Sequence, residues 1–304
     1  MDKKRAPNTE LPLTEQPNPA STELDALSPL ELARLMNRQD AGVPAAVAEA
    51  LPQIAQAMEI MAQALLQGHR VFYQGAGTSG RLAVLDAVEL LPTFSLEPER
   101  VIPLLAGGPA AMTRSIEGAE DSQEQGRADL AAHGFQAGDV LVGLAASGRT
   151  PYVLGGLAYA REVGAASVAI VCTPNSPMAQ AADLAIELLT GPEVLTGSTR
   201  LKAGTAQKMV LNMLSTGAMV RLGKVYGNRM VDVQPINSKL RDRAVRIVME
   251  STGVEQEEAR RLLEEAGWAV KVAVVMGLAG VSPEEARDRL AASGGRVREA
   301  LTGP

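Results

Sequence analysis

Two short stretches carry the residue types that hold a small anion. Gly75-Ala76-Gly77-Thr78-Ser79-Gly80 is a glycine turn with two hydroxyls, and Ala146-Ser147-Gly148-Arg149-Thr150-Pro151 repeats the pattern with Arg149 adding charge. At a helix start, backbone N–H groups and the helix dipole favour an anion, and hydroxyls add directed bonds. The first stretch spells G-x-G-x-x-G, which by itself is a weak sign of a dinucleotide fold. Such a fold also wants an acidic residue after its second strand to hold a ribose. Here that region runs out into Leu105-Ala106-Gly107-Gly108, with Glu97 and Glu99 ahead of it, and the first turn lacks a Walker lysine. Either loop alone reads as a capped turn, because turns are what Gly, Ser and Thr usually make. Both together, at one edge of a sheet, point to a single phosphate monoester.

Acid–base chemistry has few other carriers. The only histidines, His69 and His133, sit at element ends and read as solvated or helix-capping residues, which leaves carboxylates, lysines and hydroxyls. Cys172 is the single cysteine, so neither an intramolecular disulfide nor a thiolate metal cage is available, as expected of a reducing, cytoplasmic protein. A net charge of −6 argues against wholesale nucleic-acid binding. No apolar run approaches the roughly 18 residues of a membrane span. The first residues lead into Pro, Asn, Thr and Glu, unlike a secretory signal.

The elements that must position the loops follow from periodicity. Five β-branched or aliphatic runs, at 70–74, 101–105, 140–144, 167–171 and 184–188, alternate with helix-like segments. That alternation predicts a parallel sheet covered on both faces, with ligands at the carboxyl ends of its strands. Residues 1–22 read as an extended arm. Ser28-Pro29-Leu30-Glu31 has the composition of a capping box opening a helix to about residue 37. A longer amphipathic helix is predicted over 43–67, closed by Gly68. Past Gly191 the pattern is helical, with a long helix over 199–221 and short pieces to the end, including 255–266 and a second capping box at Ser282. The expected division is an arm with helices over 1–59, a phosphate-binding sheet domain over 60–223 and a small helical domain over 224–304.

GAGTSGRLAVLDAVE (75–89), EGAEDS (117–122), AASGRTPY (145–152) and TGSTRLKAGTAQK (196–208) resemble the signatures of bacterial N-acetylmuramic acid 6-phosphate etherases, with VDVQPIN (231–237) in support. The resemblance covers nearly the whole chain. It implies the sugar isomerase (SIS) fold: α/β, a five-stranded parallel sheet in a flavodoxin-like three-layer arrangement, with N-terminal helices and a small C-terminal helical domain. The phosphate loops are common to SIS proteins, whereas the segments around Glu89, Glu120 and 196–208 narrow the resemblance to the etherases. One departure is Leu90-Leu91-Pro92, where the family typically has Cys-Pro-Pro.

The resemblance implies cleavage of the C3 lactyl ether by elimination and water addition, without metal or organic cofactor. Glu89 is implied as the acid that protonates the departing lactate, and Glu120 as the second catalytic carboxylate, in the role of C2 base. Thr78, Ser79, Ser147, Gly148, Arg149 and Thr150 are expected to hold the 6-phosphate, and Gly77, Thr199, Arg200 and Lys202 to touch substrate. On residues alone, Glu89 lies near a helix C-terminus, where the dipole disfavours negative charge, while Glu117-Gly118-Ala119-Glu120-Asp121 reads as a solvated acidic turn. An aldose-ketose isomerase would use the same loops with one glutamate, and a non-catalytic sensor could dispense with both. Ten residues of helix place Glu89 ~15 Å from the phosphate loop of its own chain. A homodimer with a shared site is therefore expected, its ligand a small sugar phosphate and not nucleic acid or membrane.

Overall fold

The computed structural model describes residues 11–302. Strands β1 (Val71–Gly75), β2 (Val101–Leu105), β3 (Val140–Leu144), β4 (Ala166–Val171) and β5 (Leu184–Glu187) form one parallel sheet in the order β2-β1-β3-β4-β5. Their ends differ by at most one residue from the expected runs. Val71 pairs with Val101 on one side and Val140 on the other, so β1 and β3 lie buried at the centre. The chain reverses its direction of strand addition between these two, and the crevice beyond their carboxyl ends is where such sheets bind ligands.

Helices cover both faces, as the apolar strands require. The capping box at Ser28 forms in full, with its side chain accepting from the Glu31 N–H and Glu31 accepting in return, and opens α1 (Pro29–Asp40). The single helix expected over 43–67 is instead two, α2 (Val43–Ala48) and α3 (Leu51–Leu66). Pro52 is the cause: it has no N–H for the Ala48 carbonyl, and its ring crowds that group. The apolar stripe survives the break, because Val47, Ile54, Met61 and Leu65 share one core with the sheet. The described part of the arm is docked, not extended. Asn18 Nδ2 donates to Pro192 O at 3.0 Å and Gln39 Oε1 at 2.9 Å. Residues 1–10 of the arm lie outside the described residues.

α4 (Gly77–Val88), α5 (Leu90–Phe94), α6 (Gln123–Ala132), α7 (Pro151–Val163), α8 (Pro177–Ala181) and α9 (Lys202–Arg221) complete the layers. α3, α4 and α9 pack on one face through Ala83, Ala87, Val210 and Leu214, and α6, α7 and α8 on the other through Leu130, Leu157 and Met178. A hairpin, β6 (Val225–Tyr226) and β7 (Arg229–Met230), leads to α10 (Ser238–Thr252), α11 (Gln256–Glu265), α12 (Val270–Ala279), α13 (Pro283–Ala292) and α14 (Val297–Thr302). These enclose a core of their own around Val248, Leu263 and Val274. At Ser282 only half of the expected box forms: its side chain accepts from the Glu285 N–H, but the Glu285 carboxylate goes to Arg289. No helix among the described residues is long and apolar enough to cross a membrane.

The outer glycines of the first loop serve close packing. A Cβ on Gly80 would meet the Gly75 carbonyl oxygen at 2.6 Å and Leu105 Cδ1 at 2.5 Å, so no side chain fits where α4 leaves the sheet. Gly80→Ala is expected to lower the unfolding free energy by about 1–3 kcal/mol, the usual cost of overpacking. An unchanged urea midpoint would contradict this.

Candidate active site

Both hydroxyl loops lie at the carboxyl edge of the sheet. β1 ends at Gly75, Ala76 is extended, and Gly77 begins α4 with φ +53°, a left-handed conformation that glycine adopts freely. The N–H groups of that first helical turn have no intrahelical carbonyl to bond. After β3, Gly148 has φ +66° and lies so close to Ser176 that a Cβ would come within 2.1 Å of its hydroxyl. Ser147 is half-buried, its hydroxyl accepting from the Arg149 N–H at 3.3 Å, and Thr150 stands at the N-cap of α7 with no side-chain cap bond. Arg149 is exposed.

Glu120 is exposed, on the loop that follows β2. It lines a cavity of about 190 Å³ together with Gly77, Arg81, Arg114 and Glu117. Its carbonyl accepts the Tyr152 N–H at 3.0 Å, tying it to the first turn of α7 just past Thr150. The acidic turn is exposed, as its composition suggests, and is fastened to the start of α7.

Glu89 is elsewhere. α4 stops at Val88 and the chain restarts as α5, because Pro92 has no N–H to give the Val88 carbonyl four residues earlier. The expected helix thus ends before Pro92, with Glu89 exposed at its C-cap, and Pro92 falls inside the short helix that follows. Glu89 lines a separate cavity of about 410 Å³ between α4, α5 and α9, with Asp86, Lys208, Asn212 and Ser215. Neither loop nor Glu120 lines it.

Asp86, one helical turn before Glu89, has no counterpart among the expected site residues. Its carboxylate accepts from Tyr73 Oη at 3.2 Å and Ser215 Oγ at 3.0 Å. Burial pushes its pKa up to about 6, against the opposing pull of those two hydroxyls and of Lys208. Because the folded value lies above the ordinary carboxyl value, the folded protein holds this proton more tightly than the unfolded chain. The resulting stability is fully present below about pH 4 and is lost as pH rises through about 6. Asp86→Asn is expected to flatten this slope by up to about 3 kcal/mol between those limits, read from urea unfolding across that range. An identical slope in both proteins would count against it.

Two of the other expected contacts, Ser79 and Lys202, have side-chain partners within the fold. Ser79 is buried and its hydroxyl donates to Gln207 Oε1 of α9 at 2.8 Å, while Gln207 Nε2 has no partner among the described residues. Lys202 is buried, its ammonium donating to Thr190 O at 2.8 Å and Gln39 Oε1 at 3.4 Å. Glu193, fully buried, accepts from the Lys202 and Ala203 N–H groups and so caps α9. Thr199 and Arg200 lie in the turn before α9, where the Thr199 carbonyl accepts the Gly204 N–H at 2.9 Å. Thr78 packs against the first turn of α9, with its methyl 3.4 Å from where a Gly204 Cβ would sit.

Comparison with known proteins narrows the chemistry. Residues 53–161 match the family described as glucokinase regulatory protein N-terminal SIS domain, and residues 128–217 match the SIS domain. An N-acetylmuramic acid 6-phosphate etherase of Cronobacter sakazakii is 56% identical over 262 residues, covering 86% of this chain and 88% of that one. A protein of the same name from Pectobacterium atrosepticum is 54% identical over 291 residues, 96% of each chain. Among solved structures, a phosphoheptose isomerase from Francisella tularensis is 18% identical with a TM-score of 0.46, covering 62% of this chain and 98% of its own.

Proposed function

The chain belongs to the N-acetylmuramic acid 6-phosphate etherase family, and we propose that it cleaves the lactyl ether of N-acetylmuramic acid 6-phosphate to N-acetylglucosamine 6-phosphate and D-lactate. The observation that supports this reading is that Glu120 shares a cavity with Gly77 of the first loop and bonds through its carbonyl to Tyr152, just past the second. With the 6-phosphate on the N–H groups and hydroxyls of those loops, the open-chain sugar extends toward Glu120. Glu120 takes the C2 proton, the electron pair is delocalised onto the C1 aldehyde, and the C3–O bond breaks as Glu89 protonates the leaving oxygen. Water then adds at C3 of the unsaturated aldehyde. The substrate's own carbonyl is the electron sink, so the protein supplies only acid, base and anchors.

The site is completed by a second copy of the chain. Glu89 and Glu120 line different cavities, and the one holding Glu120, about 190 Å³, is smaller than the roughly 300–1,000 Å³ of ordinary ligand pockets. Leu85 and Val88 beside Glu89 are exposed, an apolar face suited to contact with a partner. A twofold dimer places Glu89 of one protomer over the loops of the other, twice. A phosphorylated substrate and a lone buried cysteine fit the cytoplasm.

The test is incubation of the purified protein with N-acetylmuramic acid 6-phosphate and assay for D-lactate. Lactate release is expected, and its absence while the sugar phosphate binds would favour a sensor. Ser147→Ala is expected to raise KM about 10-fold or more, since hydrogen bonds to charged groups are worth about 1.5–3 kcal/mol. In Ser79→Ala part of the loss should appear as stability, because the Gln207 bond goes too. Unchanged KM for Ser147→Ala would remove that residue from the phosphate site.

A further inference from the structure

We infer that Lys208 binds the carboxylate of the lactyl group, making the groove it shares with Glu89 the lactyl subsite. The inference rests on the etherase reading. The lactyl carboxylate carbon lies two bonds from the ether oxygen, so an acid that protonates this oxygen is necessarily beside the carboxylate as well. There a carboxylate meets Glu89 and Asp86, both acidic, and needs a cation. Among the described residues Lys208 is the one basic residue lining that cavity.

The Lys208 ammonium is available for such a ligand. It is exposed, donates to Asn212 Oδ1 at 2.6 Å, and has no ion-pair partner among the described residues. An ammonium has three donors. Asp86 is the nearest competitor, but both its oxygens already accept hydroxyl bonds, from Tyr73 and Ser215. Helix spacing makes this one constructed face. Lys208, Asn212 and Ser215 recur at i, i+4 and i+7 on α9, opposite Asp86 in the last turn of α4 and Glu89 three residues on, at its C-cap. Leu85 and Leu211 line the same groove and offer an apolar wall to the lactyl methyl.

The test compares two ligands that differ only in the lactyl group. On a Glu120→Gln background, which suppresses turnover, N-acetylmuramic acid 6-phosphate and N-acetylglucosamine 6-phosphate are titrated calorimetrically against protein with and without Lys208→Gln. The expected result is a roughly 10- to 100-fold loss of affinity for the first ligand and no change for the second, with Lys208→Arg retaining most of the discrimination. Equal loss for both ligands, or loss for neither, would overturn the assignment. Lactate release by the unsubstituted protein is assayed separately, so failure of the etherase reading shows there and not in this ratio.

Discussion

Glu120→Gln is expected to abolish both exchange of the C2 proton with solvent deuterium and release of D-lactate, whereas Glu89→Gln keeps the exchange and loses the lactate. Each substitution removes one proton-transfer group, and such groups contribute about 10²–10⁴-fold to rate. The asymmetry follows from the order of steps. Proton removal at C2 needs only the base beside the phosphate loops, where Glu120 is tied to the start of α7. Departure of lactate also needs the acid, which lies in another cavity. Proton exchange by NMR and lactate by a coupled assay read the two events independently. Exchange lost in Glu89→Gln and retained in Glu120→Gln would reverse the roles, and near-normal turnover in both would remove the pair from the mechanism.

Mixing these two inactive proteins is expected to restore activity. If the loops and Glu120 of one protomer meet Glu89 of its partner, a mixed dimer has one site with neither lesion and one site with both. Random exchange makes about half the dimers mixed, so recovery should approach about a quarter of the unsubstituted activity. A site built within one chain predicts no recovery at any mixing ratio. Exchange is followed with differently tagged protomers. Demonstrated exchange without activity would eliminate the shared site, and recovery beyond about half would point to incomplete inactivation.

Much of the positioning framework is legible along the chain because it depends on neighbours in sequence. Strand runs appear as continuous apolar stretches because the sheet is buried on both faces. The capping box at Ser28 and the glycine turns at Gly77 and Gly148 are local hydrogen-bond and φ requirements, readable from a few adjacent residues. Where the reading of elements failed, the missed signal was also local: Pro52 breaks a helix at the carbonyl four residues earlier, although the apolar period runs on through it. The arm was misread for a different reason. Asn18 gains its partners Gln39 and Pro192 only when distant segments converge.

The sequence by itself therefore determined the α/β alternation and the two glycine turns at the sheet edge, and through resemblance it singled out the two glutamates proposed for the reaction. Only the tertiary structure decided how these groups are shared out. Packing of α9 on α4 joins residues as far apart as Asp86 and Ser215, 129 positions in sequence, and turns Lys208 into the same groove as Glu89. The same packing draws Ser79 onto Gln207, and the docking of α1 and the pre-α9 turn draws Lys202 onto Gln39 and Thr190. Periodicity says which face of a helix turns inward. Which distant helix meets that face depends on how layers of side chains from the whole chain fill one close-packed interior.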